Sequence, residues 1–298
     1  MREKITMIFA MLVLMIMIPY LGTMALTGTI GVAIASVEEL NTGKTVSLEL
    51  DGQYVVMDVE AYLAGILPAD MEGSDNLEAW KALAVIERTN IYKRMNGNGN
   101  IDESELGTKY LQEEEISEAW GERNYEAYKK VVEQAILETA GIAIQYDGEY
   151  IDALYHKASV GSTVSAEELL GEAVPYLTSV VSSHDVESKD YMNIITVSKD
   201  EVQELTVTES TEHGYVKTVS CNGEVLTGEE AQERFQIYSL NFYVEDMGAE
   251  FRIVSLGTGH GLGLSLYGAG IMAREGKTYE EILSYYYSGI QLSEKPVN

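Results

Sequence analysis

Thiol and imidazole groups are scarce in this 298-residue sequence, which contains one cysteine, Cys221, and only four histidines. A single thiol excludes an intramolecular disulfide framework, and it also excludes a zinc cage built from several cysteines. Any metal would therefore need histidine and carboxylate ligands. Proline is equally rare at four residues, while 46% of the residues are hydrophobic and 23% are charged. This composition is typical of a chain that buries a core and not of a disordered polymer.

Basic side chains are also few, with 20 lysines and arginines against 48 acidic residues and a formal net charge of −28. A surface of this sign repels phosphate backbones, so nucleic acid is excluded as a partner. The length permits one large domain or two small ones.

The longest stretch without charge lies at the N-terminus, where Arg2 and Lys4 precede residues 5–36. This run exceeds the roughly 20 residues that a helix needs to cross a bilayer. We therefore expect residues 1–36 to be a cytoplasmic tip and a single transmembrane signal anchor, with residues 37–298 forming one domain on the outer side of the cell membrane. The alternative is a cleaved signal peptide, because residues 33–35 resemble a signal peptidase site.

Hairpins and helices alternate irregularly along the exported part. Alternating residues around Asp51-Gly52 predict a hairpin over residues 45–59, and Asp147-Gly148 predicts another with strands 142–145 and 150–155. Helices are predicted over residues 60–67, over residues 77–95 with a stop at Asn96-Gly97, and over residues 124–139. Thr278 and Glu281 predict a capping box before a last helix that runs through residue 287, and strands are predicted near residues 215–220 and 251–255. No regular βαβ spacing occurs, so the expected class is α+β.

The predicted helix over residues 77–95 carries opposite charges on one face. Glu78, Lys81 and Arg88 recur at helical spacing, which is typical of a solvated ladder of salt bridges but also of a polar binding face. Asn76 is the expected cap of this helix. Asp70 is expected in the connection before it, where free backbone N–H groups can hold a carboxylate.

Hydroxyl groups are concentrated in residues 155–168. His156, Ser159 and Thr163 belong to a run that can hydrogen-bond a polyhydroxylated ligand, since each hydroxyl both donates and accepts. For Ser165 the alternative is simpler, because it can cap a helix with Glu168 at the third position.

Glycine supplies six of the fourteen residues from 257 to 270, which indicates close backbone approach or unusual backbone angles. His260, Ser265 and Tyr267 lie within this segment. It does not fit the spacing of a phosphate-binding loop or of a nucleophile elbow.

Taken together, the three segments resemble the family of stage II sporulation protein D, which includes amidase-enhancer proteins of bacterial cell walls. Residues 62–89 resemble the family's Y-L-x-G-V-V-x-x-E-M-P and E-A-L-K-A-Q-A-V-A-A-R-T segments. Residues 155–176 resemble its H-x-x-S-G-G-x-T-x-S-A-E segment followed by P-Y-L. Residues 259–269 are similar to its G-H-G-V-G-M-S-Q-Y-G-A segment, and residues 279–289 to its Y-x-E-I-L-x-x-Y-Y-x-G tail.

The resemblance implies a membrane-anchored lytic transglycosylase that acts on glycan strands of peptidoglycan stripped of their stem peptides. Its partners would be those glycan strands and a cell-wall amidase. By position the acid is Asp70, where the family has glutamate, with Glu72 and Glu78 as second choices. The remaining residues expected to bind the substrate are Lys81, Arg88, His156, Ser159, Thr163, His260, Ser265 and Tyr267.

Departures from the family pattern keep other interpretations open. Aspartate is one methylene shorter than glutamate, and about 1 Å of misplacement can cost on the order of a hundredfold in rate. A catalytically inactive module that binds glycan or stimulates an amidase is therefore the alternative, and a purely structural sporulation component is a third. Some family members resemble zinc proteins through His and Cys near the second segment. This chain has no cysteine there, so we expect neither a metal nor a cofactor.

Overall fold

The computed structural model describes residues 36–293. Contacts between Cα atoms separate Met1–Ser36 from Val37–Asn298, and every element described below lies in the second unit. The predicted membrane anchor, residues 1–36, falls outside the described residues except for Ser36. Among residues 36–293, no helix is both long and apolar enough to cross a bilayer.

The first predicted hairpin is confirmed. β1 (Thr45–Leu50) and β2 (Gln53–Asp58) pair antiparallel, and β3 (Asn100–Asp102) joins β1 in parallel. Asp51 and Gly52 both have positive φ, at 52° and 74°. A two-residue hairpin turn needs this conformation, which aspartate and glycine adopt more easily than other residues.

Two helices follow the hairpin, α1 (Val59–Asp70) and α2 (Leu77–Met95). The prediction for α1 was too short at its C-terminus, because the helix continues through Pro68. Asp70 is therefore the last helical residue and does not lie in a connection. The predicted cap of α2 was also wrong, since Asn76 precedes the helix but its side chain makes no capping hydrogen bond. The predicted stop of α2 is confirmed by Asn96, which has a left-handed conformation.

A buried ion pair joins α1 and α2. Both Arg88 and Glu60 are 0% exposed, and Arg88 Nε donates to Glu60 Oε1 at 2.7 Å. The same oxygen accepts from the Gly141 N–H at 3.0 Å, and Arg88 Nη1 donates to the Ile142 carbonyl at 3.0 Å. The pair thus fixes both helices to the segment that follows α4 (Glu122–Glu138).

The segment after α4 differs in part from the prediction. β4 (Ile144–Tyr146) and β5 (Glu149–Tyr150) form the expected hairpin at Asp147-Gly148, and β14 (Gln291–Leu292) completes their sheet. The strand predicted over residues 150–155 was wrong because the pairing stops at Tyr150. β6 (Tyr155–His156) instead pairs in parallel with β13 (Leu264–Ser265), in a separate two-stranded sheet.

Residues 192–256 build two three-stranded sheets with a core of their own. The elements here and nearby are α3 (Glu113–Trp120), α5 (Ala166–Leu170), β7 (Met192–Ser198), β8 (Leu205–Ser210), β9 (Val216–Cys221), β10 (Glu224–Thr227), α6 (Gly228–Phe235), β11 (Phe242–Asp246), β12 (Glu250–Leu256), α7 (Leu266–Arg274) and α8 (Tyr279–Tyr286). Of the strands in the two sheets, the sequence predicted only parts of β9 and β12.

Local signals at two helix starts are confirmed. Ser165 caps α5 by accepting from the Glu168 N–H, and Thr278 and Glu281 form the predicted capping box of α8. The whole arrangement mixes helices with small antiparallel and parallel sheets, in agreement with the expected α+β class.

Replacing Glu60 with alanine should destabilise the protein by about 3–5 kcal/mol, because Arg88 would stay buried without its countercharge. The free energy of unfolding in denaturant measures this loss. The control is Asp152→Ala, which breaks a solvent-exposed pair with Lys93 and should cost at most about 1 kcal/mol. Equal losses in the two variants would contradict a structural role for the buried pair.

Candidate functional site

The second polar segment, residues 155–168, and the third, residues 257–270, meet along β6 and β13. Tyr155 is the register partner of Leu264, and His156 is that of Ser265. The Leu264 N–H donates to the Leu154 carbonyl at 3.0 Å, and the Tyr267 N–H donates to the Lys157 carbonyl at 3.0 Å. Residues about one hundred positions apart in the sequence are thereby held by backbone hydrogen bonds.

The glycines of the third segment permit this close approach. A Cβ atom on Gly263 would lie 1.8 Å from the Leu154 carbonyl oxygen, and one on Gly257 would lie 2.6 Å from the Ala158 carbonyl oxygen. Both residues also have positive φ, at 69° and 70°. Any other residue type would force the two segments apart.

Asp70, in the first segment (residues 62–89), lies near Tyr155 of the second. This residue ends α1, its side chain is half-buried, and Tyr155 acts on the pKa of its carboxyl group. Burial raises the pKa of Asp70 above its ordinary value, while the Tyr155 hydrogen bond and the charge of Lys157 act in the opposite direction. A carboxyl group in this setting keeps its proton to higher pH than an exposed aspartic acid does.

A second carboxyl group, Glu87, lies on the same tyrosine and was not predicted as a site residue. Glu87 is on α2 and is 3% exposed, and Tyr155 acts on the pKa of its carboxyl group as well. Burial, reinforced by the charge of Asp70, raises the pKa of Glu87 to about 7. The sequence does contain a signal for Glu87, because this residue directly follows the apolar run 82–86. A charged residue at that position of a helix is either buried or on a polar face.

The two histidines of the segments pack beside this group. Their ring centroids are 6.0 Å apart, and His156 Nδ1 lies 3.0 Å from the Leu262 carbonyl. The Leu262 N–H donates to His260 Nδ1 at 3.0 Å. Burial, together with the neighbouring His260, lowers the pKa of His156 to about 3, and burial also lowers the pKa of His260. Both rings are therefore neutral at physiological pH.

Most hydroxyls of the predicted binding surface make contacts inside the fold. Ser265 accepts from the Gly268 N–H at 3.1 Å and so caps α7, and Thr163 Oγ1 accepts from the Val180 N–H at 2.9 Å. Ser159 is 1% exposed, and its backbone N–H donates to Asp185 at 2.7 Å. These residues join the segments to one another.

Asp185 contacts the second segment. It is 0% exposed, its Oδ2 accepts from the Ser159 N–H at 2.7 Å, and its Oδ1 has no hydrogen-bond partner within the described residues. Burial raises the pKa of Asp185, and the neighbouring Ser159, Ser265 and Ser182 oppose that effect. Tyr267, in contrast, is half-buried at the start of α7.

The other predicted site residues make their contacts elsewhere in the fold. Glu72 is exposed and pairs with Lys189 at 2.5 Å. Glu78 pairs with Lys81 at 2.6 Å and accepts from the Tyr279 N–H at 2.8 Å, which ties α2 to α8. Lys81 also pairs with Glu138, and Arg88 lies in the core ion pair described above.

Two cavities lie outside the Asp70 region. One, of about 480 Å³, lies between β8 and β11 and is lined by Val207, Phe242 and Phe251 among others. The second, of about 50 Å³, lies beside Pro68 and Trp120. Within residues 36–293, no group of three or more His, Cys, Asp and Glu side chains is arranged to hold a metal ion.

Alanine at position 263 should destabilise the protein more than alanine at position 276. Both glycines have positive φ, which costs an alanine about 1–2 kcal/mol, but only Gly263 faces a backbone oxygen, while Gly276 faces open space. The free energies of unfolding of Gly263→Ala and Gly276→Ala provide the comparison. Equal values would show that the close approach of residues 154 and 263 is dispensable.

Comparison with known proteins gives one consistent picture. The family model described as "Stage II sporulation protein" matches residues 52–146, which include α1 and α2. Stage II sporulation protein D of Bacillus subtilis (strain 168) is 32% identical over 256 residues, covering 79% of this chain and 74% of the relative. The protein of the same name from Bacillus amyloliquefaciens is 30% identical with the same coverage. The amidase enhancer of Bacillus subtilis (strain 168) is 23% identical over 300 residues, covering 78% of this chain and 40% of the relative.

Proposed function

Because this chain belongs to the family of stage II sporulation protein D, we propose that it is a lytic transglycosylase that cuts denuded glycan strands of peptidoglycan during sporulation or wall remodelling. Family membership supports a sporulation-related role at the cell wall. The observation that carries the finer proposal is the half-buried carboxyl group of Asp70, which meets the second and third segments at Tyr155.

The reaction needs a single carboxyl group that works twice. Asp70 would first donate its proton to the glycosidic oxygen as the bond to the leaving sugar breaks. The resulting carboxylate would then accept the proton of the sugar's own C6 hydroxyl, whose oxygen closes the 1,6-anhydro ring. Protons balance within one turnover, and no second carboxylate is required because the nucleophile belongs to the substrate. Two-carboxylate glycosidases differ in that water is the final nucleophile.

The surroundings of Asp70 suit a group that must start protonated. Burial raises its pKa, and a catalytic acid works best when its pKa lies near the working pH. Lys157 is exposed next to Tyr155, and Tyr267 is half-buried. We expect both side chains to contact the ligand. With a net charge of −28, the protein would have to bind anionic wall material through such short-range contacts.

The N-terminal segment completes the proposal for location. The uncharged residues 5–36 would anchor the protein in the cell membrane and keep residues 37–298 on the outer side, where peptidoglycan is found. A cell-wall amidase that removes stem peptides would then supply the denuded substrate.

One observation supports a second candidate function. The similarity to an amidase enhancer, together with aspartate at the acid position, fits a module that binds glycan or stimulates an amidase without cutting. Equilibrium binding to glycan strands without anhydro products, or faster hydrolysis by an added amidase, would favour this module over the enzyme.

Replacing Asp70 with asparagine should abolish the reaction, with a loss of at least about a hundredfold, because the amide cannot supply the proton. The measurement is the yield of 1,6-anhydro ends from denuded glycan strands, analysed by mass spectrometry. Asp75→Asn, the same change at an exposed position of the loop before α2, should leave the yield unaltered. An active Asp70→Asn variant, or an inactive but folded parent protein, would defeat the proposal.

The rate should also fall as the pH rises through the pKa of Asp70. The acid form of this group is the reactive one, so activity is complete below its pKa and is lost above it. Burial raises that pKa, so the decline should lie above the range of an ordinary aspartic acid. A pH profile of kcat/KM checks this, and a rate that increases through the same range would assign the chemistry to a base instead.

A further inference from the structure

Two strand edges face one cavity in this fold. The cavity of about 480 Å³ lies between β8 and β11, and its lining includes the apolar side chains of Leu205, Val207, Phe242 and Val244. Its volume falls within the range of about 300–1,000 Å³ that is typical of ligand pockets. The proposed reaction takes place elsewhere and assigns no task to this cavity.

Both strands lie at an edge of their sheets. The strand order is β10-β9-β8 in one sheet and β11-β12-β7 in the other, so within residues 36–293 each of β8 and β11 pairs with a strand on one side only. An edge strand presents main-chain N–H and C=O groups that can pair with another chain. Neither β8 nor β11 contains a proline or a lysine, the residues that commonly block such an edge.

The hydrogen-bond pattern of β11 shows which of its main-chain groups are free to pair. In an antiparallel pair, alternate residues bond to the partner strand and the residues between them point away from it. The Leu256 N–H donates to the Asn241 carbonyl at 2.8 Å, and the register of β11 with β12 continues from there without a shift. The groups that point away from β12, towards the cavity, are therefore those of Phe242, Val244 and Asp246.

β8 presents main-chain groups to the same cavity. The Asn222 N–H donates to the Glu204 carbonyl at 3.0 Å, so these two residues are a hydrogen-bonded pair. By the same alternation, the N–H and C=O groups of Leu205 and Val207 point away from β9. The register of β8 with β9 shifts only beyond them, between Val207 and Glu209. The cavity is thus flanked by free main-chain groups from two strands.

The directions of the two strands suit one added strand. β8 runs antiparallel to β9, and Tyr215, next to β9, forms an antiparallel bridge with Asn241, next to β11. β8 and β11 therefore run in the same general direction. A strand that enters between them can run antiparallel to both, which is the pairing with the better hydrogen-bond geometry.

We propose that this cavity binds an extended, basic segment of a partner protein, which adds a strand to the free edge of β11 and faces β8. In this mode of recognition, main-chain hydrogen bonds give affinity and pockets for alternate side chains give specificity. The inference goes beyond the proposed transglycosylase and does not depend on it.

The apolar lining would receive every second side chain of the added strand. Leu205, Phe242 and Phe251 are 3%, 4% and 5% exposed and belong to the core that the two sheets share. Val207 and Val244 pack against that core but are only partly buried. Apolar side chains placed over these two valines would remove more of their surface from water, which favours binding.

The charges of the two edges indicate that the segment is basic. β8 contains Glu209, β11 contains Glu245 and Asp246, and neither strand contains a lysine or an arginine. Arg252 pairs with Glu245. Lys199 pairs with Asp246 at 2.6 Å, whereas Glu209 makes no ion pair within the described residues.

A second copy of this chain is a poorer occupant than a basic segment. If the copy added its own β8 or β11, acidic side chains would lie against acidic side chains, and such like-charge contacts suppress association. Lysine or arginine side chains on the outer face of the added strand would instead meet acidic residues. The expected partner is therefore a different protein.

The test measures binding of a short synthetic peptide that alternates valine and lysine and carries a fluorescent label. Fluorescence anisotropy with the full-length protein in detergent gives the dissociation constant, with the peptide in detergent alone as the blank. The parent should bind the peptide, and Val244→Pro should weaken binding by about tenfold. Proline removes the N–H that points into the cavity and leaves the hydrogen bonds to β12 in place.

Thr196→Pro is the matched control, because it makes the same change at the other edge of the same sheet. The Lys199 N–H donates to the Ala249 carbonyl at 3.1 Å, so by alternation the Thr196 N–H on β7 points away from β12. Residue 196 does not line the cavity, and its variant should bind the peptide as tightly as the parent does.

The charge of the segment is tested with a second peptide that alternates valine and glutamate. It should bind at least about tenfold more weakly than the valine–lysine peptide, because its acidic side chains would face those of the two edges. Equal affinity for the two peptides would overturn the basic character of the segment.

Three further results would overturn the proposal. They are no binding of the valine–lysine peptide to the parent, equal binding by the parent and Val244→Pro, and a parent dimer that Val244→Pro converts to a monomer in sedimentation. The dimer would show that a second copy occupies the cavity.

A measurement on the parent covers the case in which Val244→Pro does not fold. Addition of the valine–lysine peptide should slow amide hydrogen exchange in residues 242–246, read by mass spectrometry, and leave residues 192–198 unchanged. Exchange in residues 242–246 that the peptide does not slow would overturn the proposal. None of these results depends on the formation of anhydro ends, so the strand site and the transglycosylase succeed or fail separately.

Discussion

The parallel pairing of β6 with β13 is the constraint on which the candidate site depends, because it joins Tyr155 and His156 to Leu264 and Ser265. Asp70 and Glu87 come from the two consecutive helices α1 and α2, and Tyr155 acts on the pKa of both carboxyl groups. Burial of such groups is costly unless polar neighbours compensate for the lost water.

The glycine-rich segment makes this contact possible. β13 can approach β6 only because Gly263 and Gly257 leave room for the carbonyls of residues 154 and 158. His156, His260 and Asp185 then fill the space behind the sheet as buried groups with internal partners. The polar residues of these segments thus serve mainly to join the segments to one another.

The sequence predicted features that depend on neighbouring residues better than features that depend on residues far apart in the chain. The Asp51-Gly52 hairpin, the helix over residues 77–95 and the Ser165 and Thr278 caps depend on neighbouring residues and were predicted. The pairing of Tyr155 with Leu264 depends on residues far apart, so the strand near residue 155 was assigned to the wrong hairpin. In the sequence Glu87 looks like any other charged residue on a helix, and its burial depends on the tertiary fold. Ser159 and Ser265 suggested ligand contacts, because the burial of both residues also depends on the tertiary fold.

The most direct measurement of the central claim is a crystal structure of the Asp70→Asn variant with a denuded glycan fragment bound. The account predicts the glycosidic oxygen of the fragment within about 2.6–3.2 Å of the side chain at position 70, with that side chain still on the Tyr155 hydroxyl. A fragment bound in the cavity between β8 and β11, or at any place out of reach of residue 70, would contradict it.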